Sequence, residues 1–133
     1  MLKLMYITND PEIASIADRA GVDRIFIDLE QYGKEKRQKN WDSVKSKHSI
    51  SDIPKVKSAV RNAQIFVRTD PIFDGFSDEL EGVLACKPDV VMLPYFKTVR
   101  EVETFIKAVD GRATTSLLLE TREAAEQIDD IIS

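Results

Sequence analysis

Residues 4–28 read LMYITNDPEIASIADRAGVDRIFID. Leu4-Met5-Tyr6-Ile7 is an apolar run of strand length. Asp10-Pro11-Glu12 then gives an N-cap acid, a first-turn proline and a first-turn carboxylate, which together start a helix. Ile13, Ile16, Ala17 and Ala20 recur at helical spacing, and Gly21 stands where a helix can end in a left-handed turn. Arg24-Ile25-Phe26-Ile27-Asp28 is a second strand. A short helix between two strands carries the chain back to its starting edge, so the strands pair in parallel.

The same unit repeats outward from there. Ser51-Asp52 open a helix carrying Ile53, Val56 and Val60, and Gln64-Ile65-Phe66-Val67-Arg68 is the third strand. Ser77 is read as the cap of the next helix, with Leu80, Val83 and Leu84 on its apolar face and Lys87-Pro88 at its end. Asp89–Leu93 is the fourth strand. Thr98 with Glu101 forms a capping box, and Val99, Val102, Phe105, Ile106 and Val109 make an apolar stripe that Gly111 terminates. Thr115–Leu119 is the fifth strand, and Thr121 opens a last helix through Ala125, Ile128, Ile131 and Ile132. Only between Glu30 and Ser49 does the period lapse. Gly33, the basic run Lys34, Lys36, Arg37 and Lys39, Asn40 and Trp41 read there as a long loop or short extra helix with a solvated face.

Residues 1–133 are therefore one α/β domain of about five strand–helix units with parallel strands. An apolar helix face ending in Ile131-Ile132-Ser133 is short of partners, which is expected of a truncated product or a fragment. With 43% hydrophobic and 32% charged residues the chain reads as a soluble globular domain, and a net charge of −4 offers no broad cationic surface for nucleic acid. Cys86, the only cysteine, admits no internal disulfide and fits a reducing, cytoplasmic setting. It falls near the end of an amphipathic helix and reads as a small buried side chain. No membrane span or signal peptide is visible. No glycine-rich phosphate loop follows the first strand, and nucleophile-elbow and zinc-ligand spacings are missing.

Charges at strand tips carry the chemistry, because in a parallel sheet those tips share the face where ligands bind. Arg68 reads as a guanidinium fork for a carboxylate or developing oxyanion, or as an ion-pair partner of Asp70 or Glu30. Glu120 reads as an oxygen ligand for a hard cation such as Mg²⁺, or as a first-turn acid favoured by the helix dipole. Asp28 and Glu30, two residues apart, point the same way along an extended segment, as outer-shell metal ligands, water holders or bases, or as ion-pair partners of Arg24 or nearby lysines. His48, the only histidine, lies beyond the long loop and reads as a bystander.

With Ile27-Asp28-Leu29-Glu30, Val67-Arg68, Val91-Met92-Leu93-Pro94 and Leu118-Leu119-Glu120-Thr121 in this order, the chain resembles the HpcH/HpaI aldolase and citrate lyase β-subunit superfamily. The resemblance implies a TIM-barrel-type (β/α)8 fold, of which this chain is a partial barrel comprising the first five units. It also implies a homo-oligomer. The implied chemistry makes or breaks carbon–carbon bonds in 2-oxo acids or their acyl-CoA thioesters with Mg²⁺, Mn²⁺ or a similar divalent ion. By position, Arg68 matches the arginine that holds the oxo-acid end and steadies the enolate. Glu120 matches the first metal-binding carboxylate, and Asp28 and Glu30 match the acids of an Asp-x-Glu-His segment. Gln31 stands where the aldolase branch carries its histidine base, so that proton route is not inherited. The second metal carboxylate follows the next strand in the family, and Asp129 and Asp130 lie on a helix instead.

Overall fold

The computed structural model describes residues 1–31 and 47–133, so the basic run Lys34–Lys39 and Trp41 lie outside the described residues. Five strands, β1 (Met5–Ile7), β2 (Arg24–Asp28), β3 (Gln64–Arg68), β4 (Val90–Leu93) and β5 (Thr114–Leu117), form one sheet in the order β1-β2-β3-β4-β5. Every neighbouring pair is parallel. Helices α1 (Pro11–Arg19), α2 (Asp52–Ala59), α3 (Phe76–Ala85) and α4 (Val99–Val109) are the crossovers, and α5 (Arg122–Glu126) and α6 (Ile128–Ile132) follow β5. Sequential order with parallel pairing is the arrangement of a (β/α) barrel wall, and five of its strands lie among the described residues.

Helix starts at Asp10, Ser51, Thr98 and Thr121 fall where the sequence places them, and the Thr121 hydroxyl accepts the Ala124 N–H. The Asp10 side chain accepts from the Glu12 and Ile13 N–H groups at the head of α1, and Thr98 and Glu101 cap each other's N–H at the head of α4. Other expectations shift. Gly75, not Ser77, is the N-cap of α3, with Phe76 as the first helical residue. The strand read over Thr115–Leu119 ends at Leu117, and the last helix breaks at Gln127 into α5 and α6. α1 buries Ala14, Ala17 and Asp18 rather than its isoleucines, and Ile13 and Ile16 stay exposed.

The strands divide the apolar residues between two faces, as a period of two requires. Ile25, Ile27, Ile65, Val67, Val91 and Leu93 face the helices and join Ile53, Val56, Leu80, Val83 and Phe105 in the main core. Each such side chain contributes about 1.5–3 kcal/mol on burial, which holds the helical layer onto the sheet. The opposite face is laid out in rows by the register. Phe26, Phe66, Val90 and Thr114 stand side by side, and one step toward the C-terminal tips stand Asp28, Arg68, Met92 and Ser116. The polar residues of that upper row face the rim.

Candidate functional site at the strand tips

Arg68 is the last residue of β3, so the alternation that buries Val67 against the helices turns the guanidinium onto the inner face. Its floor is aromatic: the Arg68 Cζ lies 5.5 Å from the Phe26 ring centroid, and Phe26 stacks on Phe66 at 4.9 Å. Asp28, its cross-strand partner, takes it bidentately, with Nε–Oδ1 at 2.9 Å and Nη2–Oδ2 at 2.7 Å. Glu30 Oε2 stands 3.4 Å from Nη2. Burial alone lowers the guanidinium pKa, but the Asp28 hydrogen bond and the charges of Asp28, Glu30 and Glu120 outweigh it and raise it overall. The partner of Arg68 is thus chiefly Asp28, neither Asp70 nor Glu30 alone. Nη1 hydrogen bonds to nothing among the described residues.

Glu120 follows β5 by three residues and is exposed. Its Oε1 accepts the Tyr95 N–H at 2.9 Å. Tyr95 makes that donation from a left-handed conformation (φ 50°), uncommon for a residue with a side chain and costing about 1–2 kcal/mol. The neighbouring Thr121 hydroxyl donates to Phe96 O at 2.6 Å, so the segments after β4 and β5 are tied together. Among the described residues no three His, Cys, Asp or Glu side chains stand together as metal ligands. A hard cation would draw from this chain the Glu120 carboxylate, with substrate and water completing the shell. That donor chemistry suits Mg²⁺, which commonly takes one or two protein carboxylates.

Three further residues brace the strand tips through contacts that the sequence pattern does not show. His48, read as a bystander to the chemistry, is buried at 5% exposure at the β2 tip, where its Nδ1 accepts the Asp28 N–H at 2.9 Å. Gln31 donates its N–H to Asp70 Oδ1 at 2.6 Å, tying the end of β2 to the segment after β3. Glu79, near the start of α3, accepts the Asp70 N–H through Oε1 at 3.3 Å, while its buried Oε2 has no partner among the described residues. Burial and then the Asp70 charge, against that hydrogen bond, push the Glu79 carboxyl up to about 7. Asp129 and Asp130 sit on α6 and are exposed.

The family model described as HpcH/HpaI aldolase/citrate lyase matches residues 3–133. The chain belongs to the HpcH/HpaI aldolase/citrate lyase family. No protein with a curated description matches it. Among solved structures, this HpcH/HpaI chain superposes on an HpcH/HpaI aldolase from Desulfitobacterium hafniense DCB-2 with a TM-score of 0.67 at 13% identity, covering 98% of itself and 57% of that chain. It superposes on the citrate synthase SbnG with a TM-score of 0.69 at 15% identity, over 97% of itself and 56% of that chain. A family protein from Burkholderia cenocepacia J2315 gives 0.59 at 14% identity, over 98% and 49%. At such identities the likeness is one of fold, and this HpcH/HpaI chain spans about half the length of those structures.

Proposed function

We propose that this chain supplies the oxo-acid-binding rim of a divalent-metal-dependent carbon–carbon lyase or aldolase, acting on 2-oxo acids or related acyl-CoA thioesters, with little activity alone. The observation that carries this reading is the Arg68 guanidinium. It stands in the rim row on an aromatic floor, is clamped on its Nε–Nη2 side by Asp28, and has Nη1 unpaired among the described residues while the Glu120 charge acts on it. Nη1 would take a substrate carboxylate or the oxygen of an enolate, where a charge-assisted bond in a partly dry site is strongest. Asp28 holds the fork in place, and Glu30 is placed to hold water or share a proton beside it. Glu120 would serve as an oxygen ligand for Mg²⁺ or Mn²⁺, and such an ion, when bound, polarises the substrate carbonyl. Gln31 can hydrogen bond but takes no proton, so proton transfer in this protein does not run through that position. A cytoplasmic setting accords with the single cysteine.

Calorimetric titration with Mg²⁺ and oxaloacetate or pyruvate tests the assignment. Saturable, Mg²⁺-dependent binding is expected. Arg68→Ala should weaken the oxo-acid by roughly 10–100-fold, the worth of one bond to a charged group. Glu120→Ala should remove the Mg²⁺ dependence. Binding indifferent to both changes would sink the assignment. A second reading, a non-catalytic partial barrel that self-associates, is favoured by one observation: the residues of edge strand β1, Met5, Tyr6 and Ile7, are 48%, 48% and 59% exposed. A stable oligomer that binds neither Mg²⁺ nor oxo-acid would select it. Homo-oligomerisation itself is proposed under both readings. No helix among the described residues is long and apolar enough to cross a membrane.

A further inference from the structure

The ladder between β1 and β2 stops one donor early. Arg24 N–H donates to Leu4 O and Thr8 N–H to Phe26 O, so the next β2 donor on that side is the Asp28 N–H. β1 itself ends at Ile7, one residue before the ladder reaches that donor. Instead the Asp28 N–H donates to His48 Nδ1 at 2.9 Å. An imidazole nitrogen that accepts an amide proton carries none itself, so the ring proton sits on Nε2.

The ring is held for this purpose. Asp52 Oδ2 accepts the Ser49 N–H at 2.8 Å and the Asn9 side-chain amide at 3.0 Å, and the same Asn9 amide reaches Lys47 O at 3.4 Å. Both chain neighbours of His48 are thereby anchored, one to α2 and one to the segment after β1. The residue whose backbone His48 fixes is the one whose carboxylate grips Arg68 and also accepts the Glu30 N–H at 3.1 Å.

We propose that His48 is a positioning residue: by accepting the Asp28 N–H through Nδ1 it fixes the Asp28 carboxylate, and through it the direction of the Arg68 fork. The role in substrate binding rests on the oxo-acid reading above, whereas the structural linkage does not.

Three variants separate acceptor from packing. His48→Asn keeps an oxygen acceptor near the Nδ1 position, His48→Gln moves its amide one bond further out, and His48→Leu keeps volume without an acceptor. The first readout is the Arg68 Nε–H resonance in a ¹H–¹⁵N spectrum, assigned by its loss in Arg68→Lys. It should be shifted and protected from exchange in wild type and in His48→Asn, and should move to the position of a free arginine in His48→Leu and His48→Gln. The second readout is oxaloacetate binding in Mg²⁺, expected to fall about tenfold in His48→Leu and to recover in His48→Asn. An Arg68 resonance unchanged in His48→Leu, or equally lost in His48→Asn, overturns the proposal. If His48→Leu does not fold, the Asn and Gln pair decides the same question. A wild type with the protected resonance but no oxo-acid binding leaves the linkage standing and rejects the lyase reading instead.

Discussion

Asp70 and Glu79 meet just beyond the tip of β3, and the fold charges only one of them comfortably. Glu79 has its carboxyl up to about 7 because it is largely buried and faces the Asp70 charge. The unfolded chain releases that proton near 4.5, so between about pH 4.5 and 7 the folded state binds more protons than the unfolded. Stability contributed by this residue therefore falls as pH rises through that window, and the penalty is complete above about 7. Glu79→Gln removes the titration and keeps an acceptor for the Asp70 N–H. Discounted for partial exposure, it should stabilise the fold by about 1–2 kcal/mol at pH 8 and by little at pH 4.5. Denaturant midpoints at the two pH values check this, and an equal gain at both would contradict it. Asp18 acts with the opposite sign. The Arg61 N–H bond lowers its pKa against the cost of burial, with those of Ala63 and Asn62 adding to it, so its contribution is present above its unfolded value near 3.8 and is lost on acidification through the lower folded value.

Asp18 also shows how one residue fixes an element. From α1 its carboxylate accepts three successive backbone N–H groups, those of Arg61, Asn62 and Ala63, at 2.9, 3.0 and 2.6 Å. These donors belong to the turn that delivers the chain into β3, so Asp18 sets where that strand begins. Asp18→Ala should cost roughly 2–4 kcal/mol in urea denaturation, because several donors lose a charged acceptor at once. Thr98→Ala, which removes half of the capping box on α4, should cost about 1 kcal/mol. A loss for Asp18→Ala no larger than for Thr98→Ala would mean that water replaces the carboxylate. Local signals such as the Thr98–Glu101 box and Asp10-Pro11-Glu12 are legible in sequence because both partners lie within four residues of each other. The α1 face was not, since periodicity locates a stripe but not the neighbour it meets, and here Ala14 and Ala17 lie inward while Ile13 and Ile16 stay out. The site divides in the same way. A charge ending an apolar strand marks Arg68 and Asp28, but His48 reaches Asp28 across 20 residues with no period to connect them, and Tyr95 serves Glu120 through a backbone N–H that any residue but proline carries.

At the scale of the molecule, the two borders of the sheet are chemically unlike, and that difference predicts how copies of this chain meet. Among the described residues no strand pairs with the outer edge of β1 or of β5. β5 presents Thr114, Thr115 and Ser116, whereas β1 presents Met5, Tyr6 and Ile7 beside the exposed Leu4 and Ile16. Met5 and Ile7 share the inner face with Arg24 and Phe26, so the same apolar surface wraps from the edge onto the interior of the barrel wall. A head-to-tail contact of β1 on β5 would set an apolar border against a polar one, and where its rotation does not close a ring it would leave a free edge at each end of the chain of copies. An isologous contact of β1 on β1 matches like with like and closes at two copies. A three-residue strand offers few ladder bonds, so burial of these side chains has to supply most of the contact energy. Sedimentation at tens of micromolar is therefore expected to show a dimer with no larger species. Tyr6→Lys, a charge on the edge whose side chain points to the face opposite Phe26, should shift the population to monomer while leaving circular dichroism and oxo-acid binding unchanged. Thr115→Lys, the same charge on the other border, should leave the dimer intact. Equal sensitivity to both substitutions, or assemblies that grow without limit as concentration rises, would assign the contact to β1 on β5.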